Sequence, residues 1–131
     1  MSSPFDADGF RPGLLSPLPL AFMGDTIYDL LVREALLREG GRPPKQLQPL
    51  AAEQVNARAQ AVAALRAEPL LTPEEAAVFR RGRNAKPRHR PAGCTREEYS
   101  LATALEALFG WLYLSGRMER ARELFEITQG L

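Results

Sequence analysis

The sequence is poor in the residues that most often build reactive or cross-linked sites. It holds one cysteine, Cys94, and one histidine, His89. No intrachain disulfide can form, and neither a cysteine-based zinc site nor a multi-histidine metal site can be built. Long apolar runs are also missing. The longest nearly uncharged stretch, Tyr99 to Gly116, carries Glu106 in its middle, so no membrane span and no membrane partner are expected. The first residues, Met1-Ser2-Ser3-Pro4-Phe5-Asp6-Ala7-Asp8, show no basic segment followed by an apolar one, so no secretory leader is expected. A cytoplasmic protein is the resulting expectation. An overall charge excess is absent too, since the formal net charge is +1 and bulk charge alone predicts no partner.

What remains is the composition of one ordinary domain: 131 residues, 45% hydrophobic and 25% charged. The charges are unevenly placed. Residues 80–90 read Arg-Arg-Gly-Arg-Asn-Ala-Lys-Pro-Arg-His-Arg, with six Lys/Arg and no acid. The rest of the chain carries eleven cations against all sixteen acids, near −5. A local basic segment on a mildly acidic protein points to a local polyanion contact.

No segment alternates convincingly at period two, and the pattern predicts an all-α fold of about five main helices. Residues 1–16 hold two of the four prolines in the first 19 positions and no helical period; they are expected to form a flexible arm before a domain at 17–131. The first helix is expected from about Leu20 to Arg38, with Pro19 as its opening residue and Gly40-Gly41 as its stop. The second is expected from Pro49 to Ala67. Thr72-Pro73-Glu74-Glu75 and Thr95-Arg96-Glu97-Glu98 each place a Glu three residues after a Thr cap, the pattern of a capping box. They open helices to about Arg81 and about Ser115. A short amphipathic helix, about Met118 to Thr128, closes the chain with Leu124 and Phe125 facing inward.

On the first helix, Leu20, Met23, Ile27, Leu30 and Leu31 form one apolar stripe, while Phe22, Tyr28, Val32 and Leu36 spread onto other faces. Asp25, Asp29 and Arg33 make a polar strip at spacing four, and Asp25 follows Gly24, whose missing side chain permits close approach. In the fourth helix, Glu106 is the only charge between Tyr99 and Gly116. A carboxylate buried there without a partner costs roughly several kcal/mol. Thr103 and Gly110 share its face. One joint explanation is that Asp25 and Glu106 meet and share a divalent cation. Hard oxygen donors select Mg²⁺, with Mn²⁺ as a substitute, and such a site activates water for in-line attack on a phosphodiester. The plainer readings stand beside it. A lone helical Asp is usually solvated or salt-bridged, a buried Glu is usually rescued by an Arg, and a basic run is usually a solvated loop.

Three segments carry a resemblance. Ala21-Phe22-Met23-Gly24-Asp25-Thr26-Ile27-Tyr28, Arg80-Arg81-Gly82-Arg83-Asn84-Ala85-Lys86 and Tyr99 through Leu114, in that order, resemble the motifs of the ribonuclease III family in its Mini-ribonuclease III form. The similarity spans roughly residues 17–128. It implies an α-helical, Mg²⁺-dependent endoribonuclease domain that cuts double-stranded RNA as a homodimer, without an added RNA-binding domain. It also implies maturation of the large-subunit (23S) ribosomal RNA precursor. Matched position by position, Asp25 and Glu106 correspond to the catalytic, metal-binding acids. Larger relatives have two more acids, where this chain has Ala21 and Thr103; the Mini form departs at the same two positions. Asp29 and Thr103 are then candidate supports behind the metal ligands, and Phe22 matches an aromatic of the dimer interface. Arg80, Arg81, Arg83, Asn84, Lys86, Arg88, His89 and Arg90 are candidate RNA contacts. The alternative is a non-catalytic, ribosome-associated RNA-binding dimer of the same fold, its thin acid set unable to hold metal.

Two copies of the basic segment in a dimer predict steeply salt-dependent RNA binding. A KCl titration of duplex affinity is expected to fall steeply, and a flat response would remove the segment from the RNA contact.

Overall fold

Two threonines set the frame of the fold. Thr72 and Thr95 each accept a hydrogen bond from the backbone N–H three residues on, at 3.2 and 3.0 Å, from Glu75 and Glu98. Each of those glutamates accepts one back from the threonine's own N–H, at 2.9 and 2.8 Å. The reciprocal bonds satisfy donors that a helix start otherwise leaves open. They fix the first turns of α4 (Pro73–Arg83) and α5 (Arg96–Leu114).

The computed structural model describes residues 9–85 and 92–130. Before α4 come a 3-10 turn at Pro12–Leu14, then α1 (Pro17–Glu39), α2 (Pro44–Val55), α3 (Ala57–Ala67) and a second 3-10 turn at Glu68–Leu70; α6 (Met118–Thr128) follows α5. The described residues contain no strand, so the all-α expectation holds. The region expected as one helix from Pro49 to Ala67 is two. Pro44 opens the first, and Pro49 lies inside it. Asn56 then divides them, its extended backbone ending α2 while its side chain accepts from Ala59 N–H at 2.9 Å to start α3. Helix α1 starts at Pro17, ahead of the expected Pro19, because a proline in the first turn lacks only an N–H that has no intrahelical partner there.

Helix α5 is the central element and packs against α1, α3, α4 and α6. It buries Leu101 through Leu105 and Ala107 through Leu112 on nearly every side. Helix α1 is apolar almost all round, so its neighbours rather than its own pattern decide which face turns in. Tyr28, Val32 and Leu36 are buried, whereas Leu30, expected in the inner stripe, is 49% exposed. Tyr28 meets Phe109 and Phe125 edge to face, with centroids 5.3 and 5.4 Å apart, joining α1, α5 and α6. At the far end the buried Glu75 carboxylate takes two bonds from Arg120, both at 2.9 Å, tying the start of α4 to α6. That pairing, with the Thr72 cap, holds the Glu75 carboxyl below its ordinary value despite burial, which acts in the opposite direction.

The approach of α1 to α5 is closer than side chains allow. A Cβ on Gly24 would lie 1.6 Å from the Glu106 carbonyl oxygen, and one on Gly110 would lie 2.0 Å from the Leu20 carbonyl oxygen. Helix α4 also rests on α5 backbone, since a Cβ on Gly82 would come within 2.8 Å of the Ala104 Cα. Gly24→Ala is therefore expected to cost about 3 kcal/mol or more of stability in urea denaturation, at or beyond the upper end of ordinary overpacking. Gly40→Ala, where nothing lies within 4 Å, is expected to leave the midpoint nearly unchanged.

Candidate active site

The crossing of α1 over α5 determines where two carboxylates meet. Gly24 lies on the backbone of Glu106 itself, so the next residue, Asp25, comes within hydrogen-bonding reach of the Glu106 side chain. Asp25 is exposed and Glu106 is half-buried. The pair thus reaches from solvent into the apolar body of α5.

Glu106 bears the electrostatic consequence. Its pKa is pushed up to about 8, first by burial, then by its hydrogen bond to Asp25 and by the Asp25 charge. Only Gln60 acts the other way. The partner that the sequence demanded for Glu106 is thus a second acid, and the expected alternative of a rescuing arginine is not what stands beside it. Near neutral pH and without metal, Glu106 keeps its proton and donates it to Asp25. Removing that proton leaves two adjacent negative charges, an arrangement suited to a divalent cation. Among the described residues there is no group of three or more His, Cys, Asp or Glu that could hold a metal; the pair is a candidate centre on its own chemistry, two hard oxygen donors at one point.

Gln60 is the residue that the sequence reading missed. It sits in the first turn of α3, which packs against α5, and is 3% exposed. Its only trace in the sequence is a long amide among alanines, a position where a buried helix face would ordinarily carry an apolar side chain.

The candidate supports lie less directly on the pair. Asp29 is held by Arg33 at 3.0 Å on the surface of α1. Thr103 is buried, and its hydroxyl donates to the Tyr99 carbonyl of its own helix at 2.9 Å. Phe22 is 82% exposed on α1, one turn before Asp25.

The basic segment is more differentiated than its composition. Arg80 is exposed. Arg81 donates to the carbonyls of Gly13 at 3.2 Å and Leu15 at 2.6 Å, clasping the chain that leads into α1 onto α4. Arg83 bridges Glu68 at 3.7 Å and Glu97 at 3.3 Å. Asn84 is exposed and closes α4, its backbone N–H bonding to Arg80 and Gly82 carbonyls. Lys86, Arg88, His89 and Arg90 lie outside the described residues, as do residues 1–8 of the expected arm.

Comparison with known proteins agrees with this architecture. Residues 18–117 match the family model described as the ribonuclease III domain. The chain is 44% identical to the Mini-ribonuclease 3 of Brevibacillus brevis over 91% of its own length and 92% of the relative's. It is 43% identical to that of Symbiobacterium thermophilum, covering 88% and 89%, and 40% identical to that of a Thermoanaerobacter species, covering 87% and 80%. A crystal structure of a protein from Fusobacterium nucleatum superimposes with a TM-score of 0.80 at 32% identity, covering 89% of this chain and 93% of that one.

The raised Glu106 pKa carries a stability signature. A carboxyl whose pKa is higher in the folded state favours folding at low pH, and the benefit is lost as pH rises toward the folded value. For Glu106 the window runs from about 4.5 to about 8. Urea unfolding in EDTA is expected to show stability falling across that window. Glu106→Gln is expected to flatten the fall and to exceed the parent's stability above pH 8; an unchanged slope would refute the assignment.

Proposed function

Since the chain belongs to the ribonuclease III family and is an endoribonuclease of that family, we propose that it cuts double-stranded RNA as a divalent-metal-dependent homodimer. Mg²⁺ is the natural ion in this reading and Mn²⁺ a substitute. The observation that carries it is the half-buried Glu106 carboxyl held against the exposed Asp25. Two carboxylates at one point are unfavourable when both are ionised, and a divalent cation removes the conflict. Hard oxygen donors suit Mg²⁺, which commonly takes only one or two protein carboxylates.

Asp25 and Glu106 would hold the ion. When bound, it supplies Lewis-acid polarisation of the phosphodiester and a water acidic enough to attack near neutral pH. The remaining steps belong to the chain. Glu106 must lose the proton that it shares with Asp25 before the site fills. Its position on the central helix keeps the carboxylate in place while the exposed Asp25 faces the substrate. The basic segment holds the RNA backbone, with Arg80 the first contact among the described residues. Arg81 and Arg83 already serve carbonyls and carboxylates of the chain, so their part in RNA binding includes shaping the segment. Lys86, Arg88, His89 and Arg90 extend the same charge.

The dimer reading is supported by α1. Leu18, Phe22, Leu30 and Leu37 are all exposed, by 43, 82, 49 and 58%, and at about 100° per residue they gather on one side of the helix, with Leu18 and Phe22 beside Asp25. Exposed apolar side chains gathered on one helix mark a protein contact. Two copies related by a two-fold axis give one site for each strand of a duplex. Duplex RNA is recognised by shape, 2′-OH and phosphate contacts, which a pair of basic segments can supply. The large-subunit (23S) ribosomal RNA precursor is the proposed substrate on the family resemblance, and a cytoplasmic location follows from that substrate. No helix among the described residues is long and apolar enough to cross a membrane.

The test is cleavage of an end-labelled RNA duplex with Mg²⁺, run on wild type, Asp25→Asn and Glu106→Gln, with folding and solution mass checked for each. Wild type is expected to run at twice the chain mass and to cut. Both variants are expected to remain folded and lose activity by at least about 100-fold, roughly 3 kcal/mol of transition-state stabilisation. Cutting in EDTA, or full activity in either variant, would sink the reading.

A further inference from the structure

Gln60 presents a polar group where the packing calls for none. Its neighbours on the inner face of α3, Ala61, Ala63, Ala64 and Ala67, are all buried. Its own side chain is 3% exposed, and its Nε2 has no hydrogen-bond partner. A buried donor without an acceptor is destabilising, and an apolar side chain of the same size would avoid the cost. The orphaned amide is not remote from function. It lies close enough to Glu106 to favour the charged form of that carboxyl.

We propose that Gln60 is a positioning residue of the metal centre, whose buried amide donates to the Glu106 carboxylate when that carboxylate holds a divalent cation. The inference rests on the metal reading above and extends it to a residue on a third helix. An amide suits the role better than the other polar side chains. It carries no charge, so it neither repels the cation, as Lys or Arg would, nor adds to the Asp25–Glu106 repulsion, as a third acid would. Its N–H groups remain donors at every working pH. Partners that orient a ligating side chain typically contribute roughly 10- to 100-fold in metal affinity.

The experiment separates positioning from packing. Mn²⁺ is titrated calorimetrically into the full chain for wild type, Gln60→Met, Gln60→Leu and Asp25→Asn, and each is unfolded by urea in EDTA. Met and Leu replace the volume and remove the amide. Both variants are expected to be at least as stable as wild type without metal, yet to bind Mn²⁺ roughly 10- to 100-fold more weakly. Unchanged affinity in both would overturn the proposal. So would a loss of stability or folding in both, which would make Gln60 a packing residue. Binding abolished by Asp25→Asn but untouched at position 60 would leave the metal centre standing and remove Gln60 from it. Absence of Mn²⁺ binding to wild type would overturn the metal reading and this inference with it.

Discussion

The structure depends on the contact of two helix backbones. Helices α1 and α5 touch at Gly24 on the Glu106 carbonyl and at Gly110 on the Leu20 carbonyl, where no Cβ fits. That crossing sets the depth at which α1 lies on the central helix. It carries Tyr28 into its aromatic contacts with Phe109 and Phe125 and brings Asp25 to Glu106. A wider separation would disconnect the core from the site at once. Gly82 repeats the device on the other side, bringing α4 and the start of the basic segment onto the same central helix.

Charge is arranged around that crossing by two different rules. At the far end of the molecule, Glu75 and Arg120 form a buried pair of opposite sign, and its hydrogen bonds are satisfied. At the crossing, two acids face each other, and the buried Gln60 amide beside Glu106 leaves its Nε2 unpaired. The first arrangement stabilises the isolated chain. The second disfavours it, and under the proposed function a divalent cation would resolve it. Such a contrast within one small fold distinguishes a structural ion pair from a candidate functional site.

Much of this was legible in the sequence because local rules governed it. Thr72 and Thr95 announced their helices through side chains three residues away, and both capping boxes form. Leu124 and Phe125 are buried on α6, as its amphipathic pattern requires. Glu106 stood out because one charge in an apolar helix demands a partner. The failures have a common cause. Pro49 reads as a helix start because proline favours that position, but Pro44 takes it, and the extended backbone and capping side chain of Asn56 make the break. Leu30 was placed inward from a helix that is apolar almost all round, where the neighbour α5 decides the phase. Arg81 and Arg83 are candidate RNA contacts by composition, and their partners within the fold lie at Gly13, Leu15, Glu68 and Glu97, far off in the chain. Gln60 gave no periodic or charge signal, because its meaning arises only where α3 meets α5.

The backbone contact between Gly24 and Glu106 has a consequence for motion. Segments that open and close independently in folded proteins are those with few buried contacts, and their amides exchange with solvent through local fluctuations. The stretch around Glu106 has the opposite character, since it belongs to the most deeply packed helix and its carbonyl is pinned by a neighbouring main chain. Opening it requires α1 to leave α5, which dismantles the core. Amides on the inner side of this crossing are therefore expected to exchange only when the whole molecule unfolds, so that the site melts with the fold rather than ahead of it.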